Sequence, residues 1–438
     1  MDATTATSGP AGPVTTGPAG SVTTGPAAAR ARVPDPRTYA WPTGPGSGSS
    51  ASAPGGPAAE GPVAGGPQLR AGVSELRLSA FGRHRGMGVA LGPVTLLAGP
   101  SGSGKSQVLA AYAALAGLGG GAGLAEVFPE PAACVPDGSL PDAAGRRGFR
   151  IGCTVDGPVG PVRLDLAVQA QPGLRIAGER LSAGGRTLLA TGLRDPARRA
   201  VEAVWLSGDA GGVTRAPLPD DRLGTALLAL RVAGRTEAER RVLAAAEQVV
   251  VALRSVYACD PRPDRMRAPA APGGGRLAGD CGNLADVLHR TRRECGTRHA
   301  LLVHAARAGC AGPVQDLAAR VLADGRVAAE LVRGTGPATA LGRLGDGELR
   351  FLALALVLLT GPGVLAVEPA AELPSARQTL TVLADGFDRA LDARQRAELV
   401  RLARLSGGRG HLRLVAAVGE EAVGARGLPE VSVVDLVP

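Results

Sequence analysis

Apolar and polar residues alternate over most of Val73-Ser74-Glu75-Leu76-Arg77-Leu78, the period-two pattern of a strand with one face in water. Gly88 to Leu91 follows as a second short strand, and ordered structure is expected to begin near Val73. Val94-Thr95-Leu96-Leu97-Ala98 is apolar almost throughout and reads as a buried strand, and the Ala/Leu-rich run Gln107 to Leu115 reads as a helix. Between about 148 and 193 the runs Phe149 to Val155, Val162 to Val168 and Leu174 to Leu181, punctuated by Gly and Pro, suit an antiparallel meander. Residues 221 to 257 look helical: Val242, Ala246, Val249, Leu253 and Val256 recur at spacings of 4, 3, 4 and 3, one helix face. Further helices are expected from Asn283 to His289, through Ala300 to Ala306, and from about Glu348 to Leu359. Asp324-Gly325 lies between two apolar runs and signals a hairpin. Val364 to Val367 is an apolar strand ending at Glu368, and Leu412 to Val418 is expected to be the last core strand.

Ahead of this, residues 1 to 71 are mostly Pro, Gly, Ala, Ser and Thr and carry an eight-residue repeat, Gly9 to Thr16 and Gly17 to Thr24. Their apolar area is too small to offset chain entropy, so a disordered tail is expected. The remaining chain, 72–437, is long enough for a substantial core at 45% hydrophobic residues. The net charge of +9 suits nucleic acid or an anionic surface, and equally a merely basic soluble protein; nucleic acid stays open and unsupported. Aromatic residues make up only 2% of the chain, which argues against a base-stacking platform. The six cysteines contain no CxxC pair, and the spacings of Cys281, Cys295, His299, His304 and Cys310 fit none of the usual zinc sites. They read as free thiols in a reducing cytosol. No secretory signal is visible, and Phe351 to Leu359, the longest apolar run, is too short to span a bilayer. A cytoplasmic protein with no membrane partner is expected.

One stretch carries specific chemistry. Lys105 is the only lysine in 438 residues, and it stands in Gly99-Pro100-Ser101-Gly102-Ser103-Gly104-Lys105-Ser106, a full match to the phosphate-binding loop GxxxxGK[ST]. Strand, loop and helix follow in the order the motif needs. Backbone N–H groups of such a loop cradle the phosphates of ATP, the lysine reaches the β- and γ-phosphates, and the Ser106 hydroxyl holds Mg²⁺.

The C-terminal third narrows the class. Leu344-Gly345-Asp346-Gly347-Glu348-Leu349-Arg350 opens a helix that runs into the apolar strand and Glu368-Pro369. This order resembles the ABC/SMC/RecF-type ATPases, with an L-S-x-G-type signature, a helix, and a strand ending in two acids. The short bacterial AAA-domain ATPases of that type are the nearest in pattern. Tyr257 to Arg267, Asp280 to Leu288 and Glu179-Arg180-Leu181 are similar to further motifs of that family. The resemblance covers residues 72 to 437. It implies an α/β fold: a P-loop NTPase core with an antiparallel β arm and a helical insertion. The N-terminal half-core would span 72–147, the arm and insertion 148–335, and the C-terminal half-core 336–437. It also implies an ATP-dependent homodimer or heterodimer, in which the signature residues Gly345, Asp346 and Gly347 contact nucleotide across the interface.

Departures from the family pattern accompany the match. Gly345 stands where a serine is expected. Aligning Pro369 makes Glu368 the water-polarising acid and puts Val367 at the metal-side position; shifting by one makes Glu368 the metal-side acid. Either register leaves one acid missing. No histidine follows Leu412–Val418, and no glutamine serves the loop that links Mg²⁺ to the arm, since Gln107 lies inside the phosphate-loop helix. His84 and Arg85 stand where family members place a base- or phosphate-contacting residue, and a solvated loop is the expected reading. Two functions follow: an ATPase driving a conformational cycle with Glu368 as its catalytic residue, or a switch that dimerises on ATP and hydrolyses it poorly. An ABC transporter subunit is disfavoured, and long SMC-type arms are excluded by the lack of heptads.

Overall fold

The computed structural model describes residues 70–437 apart from 209–210, 274, 362, 368–377, 421 and 423. The N-terminal repeat and Glu368 with Pro369 lie outside the described residues.

Strands β1 (Gly72–Ser79) and β2 (Met87–Ala90) form a hairpin, followed by β3 (Val94–Ala98) and helix α1 (Lys105–Gly119). A short helix α2 (Leu124–Val127) leads into six strands: β4 (Arg147–Asp156), β5 (Val162–Gln171), β6 (Arg175–Ala183), β7 (Arg186–Gly192), β8 (Ala200–Leu206) and β9 (Val213–Pro219). Helices α3 (Gly224–Leu227) and α4 (Glu237–Arg254), strand β10 (Val256–Cys259) and helix α5 (Pro263–Met266) come next. A helical pair, α6 (Leu284–Glu294) and α7 (Gly296–Gly309), precedes β11 (Asp316–Val321), β12 (Val327–Val332) and β13 (Thr339–Ala340). The chain closes with α8 (Asp346–Leu358), β14 (Leu380–Ala384), α9 (Ala393–Gly408), β15 (Leu412–Val418) and β16 (Val431–Asp435).

The core is a five-stranded sheet in the order β10-β14-β15-β3-β16, parallel at every pairing. Parallel strands covered on both faces read as unbroken apolar runs, and β3 and β14 are buried at every residue. Alternate residues serve two cores. Leu96, Val382 and Leu414 face α8, α9 and the α6–α7 pair. Leu97, Leu383 and Val415 face α1, α4 and the antiparallel arm. That arm is an eight-stranded sheet, β2-β1-β4-β5-β6-β7-β8-β9, so the expected meander extends beyond Leu181 by three strands. Buried Glu179 ties the arm to α3: its carboxylate accepts from Gly224 N at 2.6 Å and Thr225 N at 2.7 Å. Burial raises the pKa of that carboxyl against the pull of these bonds.

The mixed α/β class, the arm and the helical insertion follow the sequence reading. The Asp324-Gly325 hairpin joins β11 and β12, with Val321 opposite Val327. Two expectations are corrected. Val364 to Val367 is not a strand of the core sheet: it makes one parallel bridge, Leu365 with Leu277. The place beside β15 is filled by β14, whose N-terminus bonds to that strand through Leu380 N and His411 O at 2.9 Å. Nor is β15 the last core strand, because β16 pairs on the other side of β3.

Candidate nucleotide site

Open parallel sheets bind ligands beyond the carboxyl ends of their strands. At that edge β3 gives way to Gly99–Gly104, and α1 starts at Lys105. Gly102 and Gly104 hold φ values of 81° and 89°, the left-handed region that glycine enters without strain. At Gly99 a Cβ would fall 2.3 Å from the Leu436 carbonyl oxygen, because the chain after β16 bonds back through Leu436 N to Ala98 O at 2.7 Å. Lys105 Nζ donates to Gly99 O and Pro100 O, each at 2.7 Å. The first turn of α1 carries no acid, so its free N–H groups and dipole favour an anion.

The loop before β2 braces the phosphate loop, contrary to the expected solvated segment. Arg83 bonds its guanidinium to Gly102 O and its backbone N–H to Gln107 Oε1. His84 Nε2 lies 3.1 Å from Gly104 O. Arg85 is exposed, as expected.

A cavity of about 410 Å³ opens beside the loop. One wall is α1, through Ser106, Leu109 and Ala110. Opposite stand the ends of β10 and β14, with Cys259, Asp260, Leu383 and Asp385, and Asp280 and Arg262 complete the rim. Asp385 thus shares a cavity with Ser106, with one strand, β15, between its own strand and the one that feeds the phosphate loop. It follows a core strand, whereas the acid expected at a core strand's end from the sequence, Glu368, lies outside the described residues. Val367 faces elsewhere, into a smaller cavity with Ala116 and Leu253. The missed signal was the run Leu380 to Ala384 ending at Asp385-Gly386, five aliphatic or β-branched residues before an acid.

The two family-like motifs meet here. Asp260 N donates to Gly279 O and Arg262 N to Asp280 O, both at 2.9 Å, which joins residues 257–262 to the loop before α6. Cys259 and Cys281 touch at 4.0 Å between sulfurs; that hydrogen bond and burial push the Cys259 thiol well above its usual range. Arg267 then reaches the signature, donating to Gly342 O at 2.9 Å and Leu344 O at 2.7 Å and pairing with Asp346 at 2.5 Å. Arg350, on α8, donates to Asp260 Oδ1 at 3.2 Å, Pro261 O at 2.5 Å, Asp385 O at 3.3 Å and Gly386 O at 2.8 Å.

The signature caps a helix as expected: Gly345 is the N-cap of α8, and its N–H donates to Glu348 Oε2 at 3.2 Å. Gly345, Asp346 and Gly347 do not line the cavity of their own chain. Gly347 packs on its own chain, where a Cβ would fall 2.3 Å from Ala390 O, so this contact alone requires a glycine there. His299 Nε2 bonds Asp316 Oδ1 at 2.8 Å, and among the described residues no group of His, Cys, Asp or Glu could hold a metal by itself. No described helix is long and apolar enough to cross a membrane.

No protein-family model and no curated protein match the chain. Among solved structures it is similar to an SMC head bound to the C-terminal winged-helix domain of ScpA, at 12% identity and a TM-score of 0.42, covering 79% of this chain and 90% of that one. The SMC head domain of Thermotoga maritima matches at 15% identity and a TM-score of 0.39, covering 80% and 90%. An SMC head with an extended coiled coil, bound to the C-terminal domain of ScpA from Pyrococcus furiosus, matches at 9% and 0.43, with the same coverage. At such identities and scores, the chain's own strand order and phosphate loop carry the fold assignment: α/β, a P-loop core with an antiparallel arm and a helical insertion.

Proposed function

We propose that this chain binds Mg–ATP at the Gly99–Ser106 loop and acts as an ATPase of the ABC/SMC/RecF-like type. The observation that carries this reading is the shared cavity of Ser106 and Asp385, beside the lysine-bearing loop. A P-loop hydroxyl and a strand-end aspartate are the two protein groups that hold Mg²⁺ in P-loop NTPases. The residues fit the ion and the nucleotide: small α1 side chains leave room, and the glycine loop leaves its N–H groups toward the phosphates. Ser106 and Asp385 would hold the ion, which would supply positive charge to offset the charge that develops on the phosphates. The signature's distance from its own cavity favours its use in trans, in an ATP-sandwiched dimer.

A second reading, a switch that binds ATP and turns it over slowly, is favoured by Gly386 and Gly419. These residues follow the acid of β14 and the end of β15, and neither carries a side chain for a water-orienting or γ-phosphate-sensing group. Calorimetry and turnover on the purified chain test both. Lys105→Ala is expected to abolish nucleotide binding, and Asp385→Asn to remove the Mg²⁺ dependence of binding while the fold persists. Unchanged affinity in Lys105→Ala would end both readings; a turnover near 1 per second, at the low end of ordinary enzymes, would end the second.

A further inference from the structure

We propose that Arg389 is a nucleotide-contacting residue that recognises the γ-phosphate of ATP, with its guanidinium standing where a second strand-end side chain would be. The proposal rests on the phosphate-loop reading above. Asp385 ends β14 at the cavity, and the next residue, Gly386, has no side chain and a φ of 56°. A Cβ built there would lie 2.9 Å from Cζ, Nε and Nη2 of Arg389. The volume beside Asp385 is therefore filled by a cation. A tight turn returns it there, through Arg389 N and Gly386 O at 3.0 Å.

The cation is loosely held. Among the described residues its ion-pair partner is Asp260, at 4.0 Å, and the Arg389 side chain is 60% exposed. Arg350 next to it differs: it is 3% exposed and both its Nη atoms donate to the strand ends. Arg389 can leave Asp260 at little cost, since a mostly exposed pair at that distance contributes little. A planar guanidinium matches phosphate oxygens two at a time. The ion-pair partner of Arg389, Asp260, lines the cavity together with Ser106 and Asp385, which sets Arg389 at the β14 side of the cavity, from where it would reach the terminal phosphate. ADP lacks that phosphate and gains nothing from Arg389.

The test is calorimetry of Mg–ATP and Mg–ADP on the full chain, for wild type, Arg389→Ala, Arg389→Lys and Arg262→Ala. Arg389→Ala is expected to weaken ATP by about tenfold, the worth of one charge-assisted hydrogen bond, and to leave ADP within about twofold. Arg389→Lys should recover part of the loss. Equal losses for ATP and ADP, no loss for either, or the same ATP-selective loss in Arg262→Ala would overturn the proposal. Wild-type protein that binds neither nucleotide, or binding untouched by Lys105→Ala, would overturn the phosphate-loop reading itself and this proposal with it.

Discussion

Replacing Arg350 with methionine tests whether the two strand ends are held by this one side chain. The guanidinium is 3% exposed and serves three backbone carbonyls, Pro261 O, Asp385 O and Gly386 O, besides the Asp260 carboxylate. Methionine keeps most of the apolar stem and removes every donor. The three carbonyls lose this partner at about 1 kcal/mol each, the usual net worth of such a bond. Asp260 adds little, because its side chain is 42% exposed and water can take the place of the cation. Against this stands the relief of a buried charge, which in some proteins makes an apolar replacement neutral or stabilising. Here the carbonyls remain beside a wall they cannot leave, so the loss should prevail, at about 2–3 kcal/mol.

Urea denaturation followed by far-UV circular dichroism measures that loss, and ATP calorimetry on the folded variant reads its consequence. The affinity should fall, since Asp385 and the end of β10 are no longer fixed against α8. Arg350→Lys, with one point charge for several acceptors, should lie between the two. A methionine variant as stable as wild type, with unchanged ATP affinity, would refute the reasoning and leave the ends of β10 and β14 rigid without Arg350.

Two further outcomes are expected. Gly347→Ala should lower stability by about 1–3 kcal/mol, because its Cβ would meet Ala390 O at 2.3 Å, whereas Gly345→Ser, with Glu348 Oε2 at 3.9 Å as its nearest neighbour, should leave stability unchanged or slightly raised; thermal melting of the pair separates them. Burial, aided by Arg70 and Arg409, lowers the pKa of His411 below its usual 6.5, so the unfolded chain takes up the proton first. Its contribution to stability is whole above about pH 6.5 and is lost as pH falls through the lower folded value; the urea midpoint should drop between pH 7 and 5, and drop less in His411→Gln.

Much of the fold could be read from pattern alone where one physical rule governed a segment. Strand β3 is delimited as the apolar run suggests, and the single lysine opens α1 directly after the glycine loop, the strand-loop-helix order its motif calls for. The arm was legible only as far as its alternation was clean. Strand β9 carries Pro217 and Pro219 and exposes most of its residues, as an edge strand can, and so gives no period to read. His84 could not be placed, because nothing local says that a polar loop will lie against glycine carbonyls twenty positions on.

The choice of strand-end acid shows why the site was harder to read than the fold. Val364 to Val367 and Leu380 to Ala384 are both short aliphatic runs that end in a carboxylate, and periodicity cannot separate two runs without a period. The choice between them is made by neighbours distant in sequence. Leu380 to Ala384 pairs with β15 on one side and with β10 on the other, residue by residue, which leaves Val364 to Val367 outside the sheet. That same pairing sets Cys259 opposite Ala384 and so brings Asp260 beside Asp385 at the cavity. The purpose of the Tyr257 to Arg267 motif follows from it. Asp260 is held by Arg350 of α8, and Arg267 holds the loop that leads into α8, so this one segment joins the cavity wall to the N-terminus of that helix.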